Sequence, residues 1–245
     1  MRTYDKPVNP LIVQSFGGGV QSVALLIINL RDGIDFIPVF ANVGSKAENP
    51  ATLDYIERYI KPECKKLWIP FIEVSGEDLY DIVENNPYPT IPVFSGKSQM
   101  ARICTSDRKI KPVNRTVKKL LRQDENAAIV QIGISYDELH RARFGGWEKK
   151  DIYGRYHGFW KKQVYPLVDM RLTREDCKRI ITDYGWSVPE KSSCWFCPFG
   201  TGRNSRIDSL EEGINAARRM IALDEIKIRR GTGGQVEECG GYCNT

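Results

Sequence analysis

The sequence predicts an α/β fold, a mainly parallel sheet flanked by helices, with a C-terminal appendage of helix and loop that carries cysteines. Short apolar runs of strand length alternate with stretches of helical spacing, a pattern that folds as parallel strands joined by right-handed crossovers. Glycine-rich or polar segments fall where the apolar runs end, and ligands in such folds bind beyond the carboxyl ends of the strands. With 245 residues, 41% of them hydrophobic, the chain can bury one large core and still carry an appendage. The expected division is 1–170 for the sheet domain and 171–245 for the appendage.

Leu11 to Ser15 reads as a short apolar strand, Gly17 to Gly19 as a turn, and Val20 to Leu30 as an apolar helix closed by Asp32-Gly33. Asp35 to Asn42 is a second strand. Pro50 to Leu67 has helical spacing through Leu53, Ile56, Tyr59 and Ile60. Phe71 to Val74 is a third strand, with a helix around Asp78 to Glu84. The proline-rich stretch from Asn85 to Arg102 reads as a loop or lid. A basic helix runs from Lys111 to Leu121, a fourth strand from Ala128 to Ser135, and a fifth over Val164 to Leu167. Thr173 to Tyr184 is a helix, with Thr173 as its cap and Asp176 in its first turn. The glycine turn, Asn42 to Ser45 and Gly133 to Glu138 all fall at strand ends, so three motifs are expected to share one crevice.

The strongest motif is Ser15-Phe16-Gly17-Gly18-Gly19-Val20-Gln21-Ser22. Consecutive glycines after a strand let backbone approach a polyphosphate, and the N–H groups opening the next helix face the anion. The segment lacks the lysine of a Walker loop and the spacing of a dinucleotide fingerprint.

The net charge is a modest +5, unevenly placed. Arg108, Lys109, Lys111, Arg115, Lys118, Lys119 and Arg122 crowd one stretch, which reads either as a solvated surface or as a face that attracts phosphates. Arg108 and Lys109 can clamp phosphates or simply open a solvated helix. Glu138 can position a metal or cap a turn. No apolar run approaches the roughly 20 residues of a membrane span, and the first ten residues lack a signal core, so a cytoplasmic protein is expected.

The seven cysteines point away from a disulfide framework. Cys194-Trp195-Phe196-Cys197-Pro198 can hold a metal or two corners of a cluster, and it can equally be a buried or redox pair. With no second C-x-x-C, and with both histidines far away in sequence, a tetrahedral zinc site has little support. Cys64 and Cys177 fall in helical patterns and read as buried.

The glycine motif resembles the PP-loop of N-type ATP pyrophosphatases and phosphoadenylylsulfate (PAPS) reductases, whose pattern is Ser-Gly-Gly-x-Asp-Ser. Gly17 stands for the first Ser, Gln21 for the Asp, and Ser22 is retained. Four more segments are similar in the same order. They are Phe40-Ala41-Asn42-Val43-Gly44 with Glu48 and Thr52; Arg102 to Pro112 with Cys104 and Lys109; Gly133 to Glu138 with Arg141; and Tyr165 to Asp169 with Thr173. The resemblance implies a HUP/Rossmann-like sheet that binds ATP and Mg2+. It implies nucleotide contacts from Ser15, Phe16, Gly17, Gly18, Gly19, Gln21, Ser22, Asn42, Gly44, Gly133 and Arg141, and catalytic roles for Ser22, Arg108, Lys109 and Glu138. It further implies a [4Fe–4S] cluster on Cys104, Cys194 and Cys197, as in tRNA thiolases of the same superfamily.

The activity expected from the resemblance is an ATP pyrophosphatase that adenylates an acceptor oxygen for replacement by sulfur. DNA backbone phosphorothioation is the favoured setting, with a cysteine desulfurase as sulfur donor, nucleic acid as partner, no membrane, and homo-oligomerisation. The alternatives are tRNA thiolation, a thiol-dependent PAPS or adenylylsulfate reductase working through Cys239 in Glu238-Cys239-Gly240, and a nucleotide-sensing module without catalysis.

Overall fold

The computed structural model of the chain describes residues 6–85, 94–95, 98–99, 103–150, 156–194 and 197. Strand β1 (Leu11–Phe16) leads through the glycine turn into α1 (Val20–Arg31), and β2 (Ile37–Asn42) follows. A continuous helical stretch comprises α2 (Pro50–Tyr55), a π-helical turn at Ile56–Ile60, and α3 (Lys61–Lys66). Then come β3 (Ile72–Ser75), α4 (Leu79–Asn85), and the antiparallel pair β4 (Phe94–Ser95) and β5 (Ser98–Gln99). The short α5 (Ile103–Thr105) passes through a second π-helical turn, Ser106–Ile110, into α6 (Lys111–Leu120). The rest comprises β6 (Ala127–Ile132), a 3-10 turn at Tyr136–Arg141, β7 (Glu148–Lys150), β8 (Tyr156–Val164), α7 (Pro166–Asp169) and α8 (Arg174–Asp183).

Six strands form one sheet in the order β3-β2-β1-β6-β8-β7. β1 pairs in parallel with β2 and β6, β6 pairs in parallel with β8, and β7 is an antiparallel edge. This is the expected Rossmann-like arrangement. α1 is buried along nearly its whole length, from Val20 to Ile27, which makes it a core helix rather than a surface one. It packs with Phe16, Phe40, Ile56 and Ile60, and α8 adds Cys177 and Ile181 to the same cluster. On a second cluster, Val113 and Val117 of α6 pack with Val13, Val39, Ala128 and Phe159. Arg115, Lys118 and Lys119 on the same helix are exposed, so α6 carries a basic outer face.

The described chain divides into two compact units interleaved in sequence. The first takes residues up to 41, 51–74 and 112–190; the second takes 42–50, 75–111 and the chain from 191. The boundary expected at residue 170 therefore falls inside the first unit, because Cys177 and Ile181 tie α8 to the core of α1. The fifth strand lies earlier than expected, over Tyr156–Val164, since Pro166 suits the first turn of α7 with its fixed φ. β7 was not anticipated, because a three-residue charged edge strand has no apolar pattern to read. Most of the proline-rich stretch, Trp195, Phe196 and everything beyond Cys197, including Cys239 and Cys243, lie outside the described residues. Among the described residues no helix is long and apolar enough to cross a membrane.

Candidate functional site

In the first unit the glycine turn joins β1 to α1. Gly18 has φ +73, a conformation natural to glycine, and a Cβ there would sit 2.4 Å from Thr52 Cγ2. A Cβ on Gly17 would meet nothing within 4 Å, so that side of the turn is open. Gly19 is the N-cap of α1 in extended conformation. No side chain caps the helix, and its first turn holds no acidic residue. The positive end of the helix dipole therefore has neither a side-chain cap nor an acidic residue of its own first turn to meet it. Ser22 turns its hydroxyl back to donate to the Gly19 carbonyl at 2.9 Å, which braces the turn. Ser15 is part-buried on β1, whereas Phe16 is a core residue, edge-on to Phe40 and Phe71. The Phe16 side chain is thus committed to packing, and only its backbone is left for a ligand.

Gly133, just past β6, lies against the start of α1, and a Cβ there would come within 2.9 Å of the Ser22 nitrogen. This close approach brings the following turn beside Gln21. Gln21 Nε2 donates to Glu138 Oε2 at 3.0 Å and to Ser135 Oγ at 3.4 Å. Arg141 Nη1 donates to the same Glu138 oxygen at 2.6 Å. Arg174 Nη1, from the first residue of α8, donates to Gln21 Oε1 at 3.3 Å. The sequence reading missed Arg174, although it directly follows the cap residue Thr173 that closes the last resembling segment. Among the described residues, the buried donors Thr52 Oγ1 and Arg141 Nε have no hydrogen-bond partner here. An orphaned buried donor carries a desolvation cost, so two of them flanking an uncapped helix start make a site suited to an anion.

The second unit holds the other expected residues. Asn42 ends β2, and its Oδ1 accepts from the Gly44 N–H at 2.9 Å. Gly44 has φ +115, and a Cβ there would strike the Asp78 carboxylate at 2.2 Å. Asp78 also accepts from the Lys46 and Tyr80 N–H groups, so it fixes this loop to the start of α4.

Arg108 and Lys109 lie on the π-helical turn Ser106–Ile110, a form that widens a helix and recurs at functional sites. Among the described residues Arg108 forms a long pair with the exposed Glu77 at 4.0 Å. Lys109 is 3.9 Å from Glu48, whose side chain has no exposed surface while that of Lys109 keeps 38%. Glu48 Oε2 has no hydrogen bond. Burial pushes the Lys109 ammonium down, but Glu48 and then Cys194, Cys197 and Cys104 outweigh it and hold its pKa above the ordinary value.

The three cysteines act on one another as well as on Lys109, which places them in one neighbourhood of this unit. The Cys197 N–H donates to the Cys194 carbonyl at 3.1 Å, a turn that gives the C-x-x-C pair its local form. Burial pushes the Cys194 thiol up to about 12 against the pull of Lys109, and burial likewise raises Cys104. Among the described residues no three His, Cys, Asp or Glu side chains converge as ligands of a single ion. Thiols are the donor type that an iron–sulfur cluster takes, one on each iron. Cys64 and Cys177 are buried, as expected, and burial pushes each to about 12.

No family model matches the chain, and no curated protein matches it. Among solved structures, the U34-tRNA thiolase NcsA from Methanococcus maripaludis, determined with its [4Fe–4S] cluster, resembles it with a TM-score of 0.51 at 14% identity. The likeness covers 97% of this chain and 76% of that one, and it supports the fold.

Proposed function

We propose that this chain is an ATP pyrophosphatase acting in sulfur transfer to nucleic acid, with a tRNA base oxygen as the acceptor. The observation that carries the reading is the open glycine turn before an uncapped helix, flanked by the orphaned donors Thr52 Oγ1 and Arg141 Nε. ATP phosphates would lie on Gly17, Gly18 and Gly19 and take hydrogen bonds from the first N–H groups of α1. Gly133 allows the close approach, Ser22 braces the turn, Arg141 faces the phosphates, and Glu138 holds Gln21 and Arg141 in place. Nucleotide contact by Asn42 and Gly44 and phosphate clamping by Arg108 are roles implied by the resemblance alone.

The acceptor oxygen attacks the α-phosphorus, the bond to the bridging oxygen breaks, and pyrophosphate leaves. The adenylated oxygen then departs as AMP when sulfide attacks the carbon that bears it. The protein contributes position and charge in this scheme and forms no covalent bond to the substrate. Cys104, Cys194 and Cys197 would hold a [4Fe–4S] cluster, which when bound supplies an open iron site for inorganic sulfur. Lys109, set among those thiols by Glu48, then serves that group rather than the phosphates.

The likeness to a tRNA thiolase supports tRNA as acceptor, and the exposed basic residues of α6 support a nucleic acid of either kind. DNA phosphorothioation, in which a backbone phosphate oxygen is replaced, is the second reading, favoured by the Gly-Gly-Gly-Val-Gln-Ser loop. A cysteine desulfurase as sulfur donor and self-association belong to both readings. The test is to incubate the reconstituted protein with ATP, sulfide and either tRNA or duplex DNA, then digest and weigh the nucleosides. Thiolated nucleosides from tRNA are expected. Phosphorothioate dinucleotides from DNA alone would select the second reading. Sulfite released from PAPS, and lost on Cys239→Ser, would replace both with a reductase.

A further inference from the structure

We infer that Arg174, together with Arg141, supplies the positive charge at the phosphate site of this chain, in the place where a carboxylate-bound magnesium ion would otherwise sit. The inference rests on the reading of the glycine turn as a nucleotide site.

A magnesium ion needs hard oxygen ligands, and a carboxylate is the usual protein contribution. At the position in question the chain carries Gln21, and its carboxamide oxygen is already occupied by a cation. Arg174 Nη1 donates to Gln21 Oε1 at 3.3 Å, while Gln21 Nε2 donates to Glu138 at 3.0 Å and Ser135 at 3.4 Å. The opposite orientation of the amide would set its NH2 against the guanidinium and its oxygen against the Glu138 carboxylate, so the network fixes the orientation. A dication on Oε1 would have to sit beside a permanent positive charge. Glu138, the carboxylate in this network, already accepts at Oε2 from both Arg141 and Gln21. The residues present at Gln21 therefore do not fit magnesium.

They do fit a phosphate. Arg174 is held in place from its backbone, since its N–H donates to Asp137 Oδ1 at 3.0 Å. The preceding Thr173 is locked in a reciprocal capping box with Asp176. These bonds also occupy the start of α8, so its helix end is not the anion site and the guanidinium is. Arg174 lies one hydrogen bond from the first turn of α1, and a guanidinium offers five donors in a planar fork suited to phosphate oxygens. Arg141 adds a buried Nε that has no partner. Two guanidinium groups, Arg141 braced by Glu138 and Arg174 by its backbone, can hold phosphate oxygens beside an uncapped helix start without a bound metal.

The experiment is calorimetric titration of the full chain with ATP and with adenosine, in excess EDTA and in excess magnesium. The wild-type protein is expected to bind ATP in EDTA nearly as tightly as in magnesium. Arg174→Ala should weaken ATP binding in EDTA by roughly tenfold or more, the loss expected for a charge-assisted hydrogen bond. Adenosine binding should not change, because the lost partner is a phosphate. Arg174→Lys should recover part of the affinity, and matched thermal melts show that the variants are folded. Gln21→Asp should make ATP binding weaker in EDTA, because the new carboxylate captures Arg174 and repels phosphate. Wild-type binding that vanishes in EDTA and returns with magnesium, or an Arg174→Ala protein that binds like wild type, overturns this inference and leaves the proposed activity standing. No ATP binding in either buffer overturns both.

Discussion

At the glycine turn the buried side-chain atoms without a hydrogen bond among the described residues are donors, Thr52 Oγ1 and Arg141 Nε. Around the cysteines an acceptor, Glu48 Oε2, has no hydrogen bond among the described residues, and Lys109 stands among three thiols and a carboxylate. One region presents buried donors beside two guanidinium groups, and the other presents thiols beside a buried carboxylate. The difference matches the two guests proposed above, an anionic polyphosphate in the first unit and an iron–sulfur cluster in the second.

The largest effects should come from removing the second region's ligands. Single Cys104→Ser, Cys194→Ser and Cys197→Ser proteins are each expected to lose nearly all iron after anaerobic reconstitution, measured by iron assay and absorbance, while ATP binding persists. Iron retained at wild-type levels in all three would break the comparison, because the thiols would then have no guest.

Gly18→Val should abolish AMP formation, since the branched side chain meets Thr52 at once and the φ of +73 is foreign to valine. Gly17→Ala has open space and should melt like wild type. Calorimetry and chromatography of the nucleotides separate the two cases.

A smaller effect is expected from Glu48→Ala, which strands Lys109 without its carboxylate. A loss of about 3 kcal/mol in denaturant unfolding is expected for a fully buried partner, moderated by the exposure of the lysine. No change would mean that the pair carries no weight.

The smallest lies outside both regions. Thr173→Ala should cost about 1 kcal/mol by removing the cap of α8. The Thr173 hydroxyl, then its N–H, and Arg179 hold the Asp176 carboxyl below its usual 3.8. That stabilisation is fully present above 3.8 and is lost as pH falls through the lower folded value. The gap between Thr173→Ala and wild type should therefore narrow in acid melts.

The sheet and the glycine turn were legible because apolar runs such as Leu11–Phe16 and Ala127–Ile132 are buried on both faces and stand out against polar flanks. The cap of α8 was legible from Thr173 and Asp176 alone. β8 was not, since Lys161 and Gln163 interrupt its apolar pattern although Lys161 is buried and bonds Asn114 at 3.1 Å. Arg174 was invisible for a different reason. Its partner Gln21 is far away in sequence, and only the packing of α8 on α1 brings the two together. The pairing of Glu48 with Lys109 is tertiary in the same way.

The most direct test of the central claim is the fate of the phosphates. ATP labelled at the α-phosphorus, incubated with wild-type protein and tRNA and resolved by chromatography, should yield AMP with an equal amount of pyrophosphate, and none with Gly18→Val. Formation of ADP and inorganic phosphate, or ATP left intact in the presence of every nucleic acid offered, would contradict it.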